Sequence, residues 1–239
     1  MKRLVLLLAL LSLSTLSVAP AGAAVGAAAD FAADCNAGGV VTIAGVQKYV
    51  GGSAVLSGDC VVALRPGARL VFRNVELSGA GNLVAISSPD HTTIKVIDST
   101  IKVNGFLELT AGCCAGDGDV PENDGTVIVK NSTLVGQSVL LIASFDWPNG
   151  TVIVRNSILD GSGSGGVQIR ASDLGGSDGL ARVVDSEIAS GGDLEIRTGS
   201  TGLTVARRNQ FTAAGAITIS TASSGICRSS ANVPTVRCT

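Results

Sequence analysis

The chain has 239 residues, and its 17 basic side chains face 19 acidic ones for a net charge of −2. That balance exerts no general pull on nucleic acid or anionic lipid, so no nucleic-acid partner is expected. A membrane span is not expected either, because after the first 23 residues no stretch approaches about 18 consecutive apolar positions.

Residues 1–23 read as a secretory signal peptide. Lys2 and Arg3 supply the positive start, Leu4 to Leu11 the apolar run, and Ala21-Gly22-Ala23 the small-residue cleavage site. The expected protein is therefore secreted, periplasmic or held at the cell surface. About 215 residues then suit a single domain, and nothing resembling a linker interrupts them.

Six cysteines in an exported chain are expected to be oxidised. Local pairing assigns Cys35 to Cys60 and Cys227 to Cys238, which would staple the two ends. Cys113 and Cys114 are neighbours in a long Gly-rich loop, and either bridge to each other or staple that loop elsewhere.

The middle of the chain repeats itself. TVIVKNSTL at Thr126 to Leu134 returns as TVIVRNSIL at Thr151 to Leu159, and related octets are LVFRNVEL, IKVIDSTI and ARVVDSEI, with a blurred copy, TVARRNQF. The anchors Asn74, Asp98, Asn131, Asn156 and Asp185 lie 24, 33, 25 and 29 residues apart. About ten residues after each anchor comes a second alternating run, such as LEL at Leu107 or VQI at Val167. Two strands per repeat, with no helical period, are therefore expected.

Strand alternation sends Val127, Val129, Val152, Val154, Leu134, Leu159 and Ile188 to one side, which gives an aliphatic interior. Val71, Lys95, Ile128, Ile153 and Arg182 point the other way, which predicts three branched apolar residues exposed as a stripe among charges. The anchors suit sharp corners, since Asn tolerates the left-handed region and its amide can bond to the Asn of the next turn. A structural ladder of Asn74, Asp98, Asn131, Asn156 and Asp185 is thus expected, weakened where Asp cannot donate. The corner explains Asn131 better than its N-glycosylation sequon does, because Asn156 holds the equivalent place without one.

This pattern resembles the right-handed parallel β-helix family, the pectate-lyase-like solenoids. The expected fold is all-β: a single right-handed parallel β-helix of about six rungs over residues 61–226. Residues 24–60 would form an N-terminal cap region and 227–239 a C-terminal cap segment.

The repeats vary most in the connection from the second strand to the next first strand, so these loops should share one edge. Asp117, Asp119 and Asp124 in TAGCCAGDGDVPENDG could hold calcium or form a solvated acidic loop; otherwise no cofactor is expected. Trp147 in FDWPNG, beside Asp146, is a candidate sugar-stacking platform or a cover with Phe145. Arg73, Lys130 and Arg155, each one residue before an anchor, form a basic row suited to an acidic glycan.

Catalytic sets are harder to assemble. The outward acids Glu108 and Glu195 fall three rungs apart, about 14 Å, beyond the glycosidase range of roughly 5–9.5 Å. Asp146, Asp173 and Asp178 sit on adjacent loops. The resemblance implies a lyase with calcium and an Arg base, for which Arg170 or Arg197 stand near the acidic loop without matching a lyase motif. The only histidine, His91, sits in a turn-like SSPDHTT, and no nucleophile elbow accompanies it. The expectation is a non-catalytic binder of an extracellular polysaccharide or surface partner. Its alternatives are a polysaccharide lyase or hydrolase, and a structural surface component.

Overall fold

The structure, a computed structural model of the chain, describes residues 23–87, 91–112, 125–144, 149–163, 165–172, 178–222 and 224–239. Their strands form three parallel sheets around one interior, a β-solenoid of about eight turns. Sheet A contains Ala24–Gly26, Val46–Val50, Arg69–Arg73, Thr93–Ile97, Thr126–Lys130, Thr151–Arg155, Leu180–Val184, Leu203–Arg207 and Ile226–Ser230. Sheet C runs from Ser53–Leu56 to Gln210–Ala213, and sheet B from Val40–Ile43 to Ile217–Thr221.

Each turn holds three strands where two are predicted. The octet is not one strand: Thr126–Lys130 belongs to sheet A, Thr133–Val135 to sheet C, and Asn131 turns the corner between them. The predicted register holds, with Val127 opposite Val152, Val129 opposite Val154 and Leu134 opposite Leu159, all fully buried. Stacked Val, Leu and Ile therefore remove the interior from water in every turn, the main force holding the coil together.

The anchors adopt the corner geometry. Asn74, Asp98, Asn131, Asn156 and Asp185 have φ between 49° and 54°. The same column continues through Gly51, Arg208 and Ala231, at φ 71°, 54° and 54°. The blurred copy TVARRNQF already marks the Arg208 turn, whereas Gly51 and Ala231 lack any such signature, which is why about six rungs are expected and eight found. The coil also extends past the expected 61–226 span, since Val40–Ile43 already pairs with Cys60–Leu64 and Ile226–Ser230 with Leu203–Arg207.

The exposed anchor ladder is partial. Asn131 Nδ2 donates to Asp98 Oδ1 at 2.8 Å and Asn156 Nδ2 to Asn131 Oδ1 at 3.3 Å, whereas Asp185 accepts two bonds from the Arg208 guanidinium at 2.5 and 2.7 Å. A more continuous ladder lies one residue later, in the buried interior. Backbone N–H groups of Val75, Ser99, Ser132 and Ser157 donate to the hydroxyls of Ser99, Ser132, Ser157 and Ser186 one turn on, at 3.1–3.3 Å. Ser186 and Asn209 continue it by donating to the Oδ1 atoms of Asn209 and Asn232. Each of these Ser hydroxyls donates in turn to the carbonyl two residues back, so each buried hydroxyl both accepts and donates.

Both ends are closed. At the N-terminal end an Ala-rich helix, α1 (Ala28–Gly38), is a feature that the strand periodicity does not announce. The Ala27 N–H donates to Asp30 Oδ2 at 2.6 Å, and Gly39 ends the helix at φ 67°. Phe31 from α1 meets Tyr49 and Phe72 edge-on, with centroids 5.0 Å away in each case. Cys35–Cys60 ties α1 to sheet B, and Cys227–Cys238 ties the last sheet A strand to the C-terminal segment, as local pairing predicts.

Candidate anion-binding face

Sheet A builds the most distinctive surface. Its strands carry Lys48, Arg69, Arg73, Lys95, Lys130, Arg155, Arg182, Arg207 and Arg228, nine of the 17 basic residues, and none of the 19 acidic ones. Strand alternation turns all nine outward, and all are exposed except Lys95, which is half-buried. Among the described residues none of the nine is held in an ion pair. Sheets B and C, by contrast, carry Glu108 and Glu195, and Glu76, Asp160 and Glu187.

The cations are spaced by the coil. Lys48, Lys95, Arg182 and Arg228 occupy the position three residues before the corner, and Arg73, Lys130, Arg155 and Arg207 the position one before it. Taken turn by turn, these eight put one cation on every turn, about 4.8 Å apart along the axis. The row of Arg73, Lys130 and Arg155 is thus a fragment of a zigzag that runs the length of the sheet. Lys48 and Arg228 escape the sequence reading because Gly51 and Ala231 hide their corners.

Apolar residues fill the gaps, less exposed than expected. Val71 is buried, and Ile128 and Ile153 are half-buried. Long cationic side chains can cover neighbouring apolar surface with their aliphatic stems, a physical route to such burial.

Toward the C-terminal end this face deepens into a hollow of 430 Å³. Arg155, Arg182, Arg207, Arg208 and Arg228 surround it, over Val184, Leu203 and Val205. Asp185 also borders it, but the Arg208 bonds hold that carboxyl below its usual range and raise the guanidinium in return. The pair is mutually neutralised.

The other candidates are not assembled in the same way. Asp117, Asp119, Asp124, Cys113, Cys114, Asp146, Trp147 and Asp173 lie outside the described residues, as do residues 1–22 of the expected signal peptide. Among the described residues no group of three or more His, Cys, Asp or Glu side chains is placed to hold a metal ion. Asp178, on the loop edge, accepts a hydrogen bond from Thr201 Oγ1 at 2.8 Å beside an open depression of 380 Å³. His91 has φ 49°, in keeping with a turn.

Glu108 and Glu195 are three turns apart, linked through Leu140 and Gln168 in the sheet B register. Glu195 is also engaged, bonding Arg170 at 2.5 Å and Arg197 at 3.2 Å. Burial, and then the neighbouring Arg170, depress the Arg197 guanidinium. The two carboxylates therefore cannot flank one scissile bond.

No helix among the described residues is long and apolar enough to cross a membrane. No family model, curated protein or solved structure matches the chain. The fold and the charge on sheet A carry the functional argument.

Proposed function

We propose that the chain is an exported β-solenoid that binds an acidic polysaccharide along sheet A without cleaving it. The observation that carries this reading is the segregation of charge: nine cations and no acid on one flat sheet of a protein whose net charge is negative. Such a face supplies charge-assisted hydrogen bonds to carboxylate or ester oxyanions. The Val and Ile residues between the cations offer apolar area to the CH faces of sugar rings. The likeness of the coil pattern to the pectate-lyase-like solenoids supports carbohydrate as the ligand class, and disulfides at both ends suit an oxidising compartment.

The test is retention on immobilised acidic and neutral polysaccharides, with the eluates assayed for new reducing ends and 4,5-unsaturated products, with and without calcium. We expect retention on acidic polymers alone, weakening as salt rises and lost on Lys130→Glu/Arg155→Glu, with no product. Equal retention on neutral polymers would overturn the binding site, and turnover would overturn the non-catalytic reading. Preferential binding of single-stranded DNA or anionic vesicles would move the face to another ligand class.

A further inference from the structure

The hollow on sheet A differs in kind from the rest of the face. Up to Lys130 the cations are mixed, with Lys48, Lys95 and Lys130 beside Arg69 and Arg73. From Arg155 onward every cation on the sheet is arginine, and all four, Arg155, Arg182, Arg207 and Arg228, border one cavity. They alternate between the two outward positions on successive turns, so they approach the apolar floor of Val184 and Val205 from two sides. Backbone positions of neighbours in this series are about 8 Å apart, from a 4.8 Å step between turns and two residues along the strand. The arginine side chain is long enough for such neighbours to share one ligand group.

The balance of charge in the hollow narrows the ligand. Arg208 is bonded to Asp185, the single acid at the rim, whose charge also acts on Arg155 and Arg207, so five guanidiniums face one carboxylate around 430 Å³. A sugar carboxylate brings two oxygens and one charge, which one guanidinium fork can satisfy. A phosphate ester brings three acceptor oxygens and up to two charges, and a sulfate ester likewise offers three oxygens in tetrahedral array. Convergent arginines match that geometry, whereas an ammonium acts as a point charge.

We propose that this hollow is a subsite for a tetrahedral oxyanion, a phosphate or sulfate ester borne by the glycan. The inference rests on the acidic-polysaccharide reading above. It adds that recognition is uneven along the coil: the Lys-bearing turns supply general attraction, and the arginine-only turns select the ester.

The test is calorimetric titration of the full chain, at fixed low salt, with three oligosaccharides of matched length: a sulfated heparin fragment, a phosphorylated mannan fragment and oligogalacturonate. Wild type is expected to prefer a sulfated or phosphorylated probe over the uronate by about tenfold. The larger of the two preferences identifies the ester. In Arg182→Lys/Arg207→Lys, which keeps the charge and removes the forks, that preference falls to near unity. Both side chains are exposed, and an unchanged far-ultraviolet dichroism spectrum verifies the fold of the variant. A wild type without the preference, or a variant that retains it, overturns the subsite while uronate binding upholds the underlying reading. Failure of all three probes to bind wild type overturns that reading itself.

Discussion

The Ser157 hydroxyl accepts a hydrogen bond from the Ser132 backbone N–H at 3.2 Å, and donates one to the Arg155 carbonyl at 2.8 Å. One buried side chain thereby satisfies a donor in the turn before it and an acceptor in its own. Ser157→Ala leaves the Ser132 N–H buried without that acceptor, at an expected cost of about 1–3 kcal/mol. Asn156→Gly, at the exposed corner next door, should stay within about 1 kcal/mol of wild type, because glycine enters the left-handed region freely. Urea midpoints of the two variants check the ordering.

Backbone packing at the turn into sheet A leaves no room for a side chain. A Cβ on Gly150 would lie 2.3 Å from the Ala143 carbonyl oxygen, and the Gly150 N–H already donates to Ser172 Oγ at 2.9 Å. Gly150→Ala is expected to cost more than about 3 kcal/mol, or to abolish soluble expression. The fraction of folded protein after purification, followed by thermal melting, tests it.

Among the described residues, the disulfides tie the two ends. Replacing Cys35 and Cys60 by Ala frees α1 from sheet B across a sequence separation of 25 residues, and should destabilise the fold by about 2–4 kcal/mol. Hydrogen exchange is expected to rise first in α1 and in Val40–Ile43, with the middle turns protected, since each turn contacts only its neighbours.

Tyr49 is the only tyrosine, and its titration is therefore directly visible. Burial, followed by the nearby Asp34 and Asp30 charges, pushes its pKa from 10.0 up to about 12. The unfolded chain releases this proton first, so the contribution to stability is complete below pH about 10 and is lost as pH rises toward 12. Absorbance at 295 nm should give a midpoint near 12 for the native protein, and Tyr49→Phe should flatten the alkaline fall in stability.

At the opposite extreme of pH, the Asp185–Arg208 pair supplies a smaller effect. The lowered Asp185 pKa means that its contribution is present above the ordinary carboxylate range and is lost as pH falls through the depressed value. The pair is exposed and screened, so Asp185→Asn should shift acid unfolding only slightly. Acid denaturation curves of the two proteins in parallel provide the comparison.

Sequence periodicity reveals the interior and the corners because both recur: Val127 and Val152 share a register, and Asn131 and Asn156 share a backbone conformation. The ends escape it for the same reason. Gly51 and Ala231 reach the corner conformation without the residue type that marks it elsewhere. The buried Ser column also escapes, since a Ser after an Asn reads as an ordinary turn residue until its burial is seen. The charge segregation is legible only once the corners are aligned at both ends. Arg73, Lys130 and Arg155 are visible as a row, and Lys95 and Arg182 as outward positions, but the zigzag that adds Lys48, Arg207 and Arg228 needs the full register.

The confinement of these cations to one of three sheets gives the molecule an electrical front and back. A neutral or evenly mixed solenoid would meet a charged matrix in any rotation about its long axis. Here sheet A is drawn toward a negative surface, while sheet C, whose Glu76, Asp160 and Glu187 outnumber its single cation Lys102, is pushed away from it. Such a molecule would settle lengthwise and one side down.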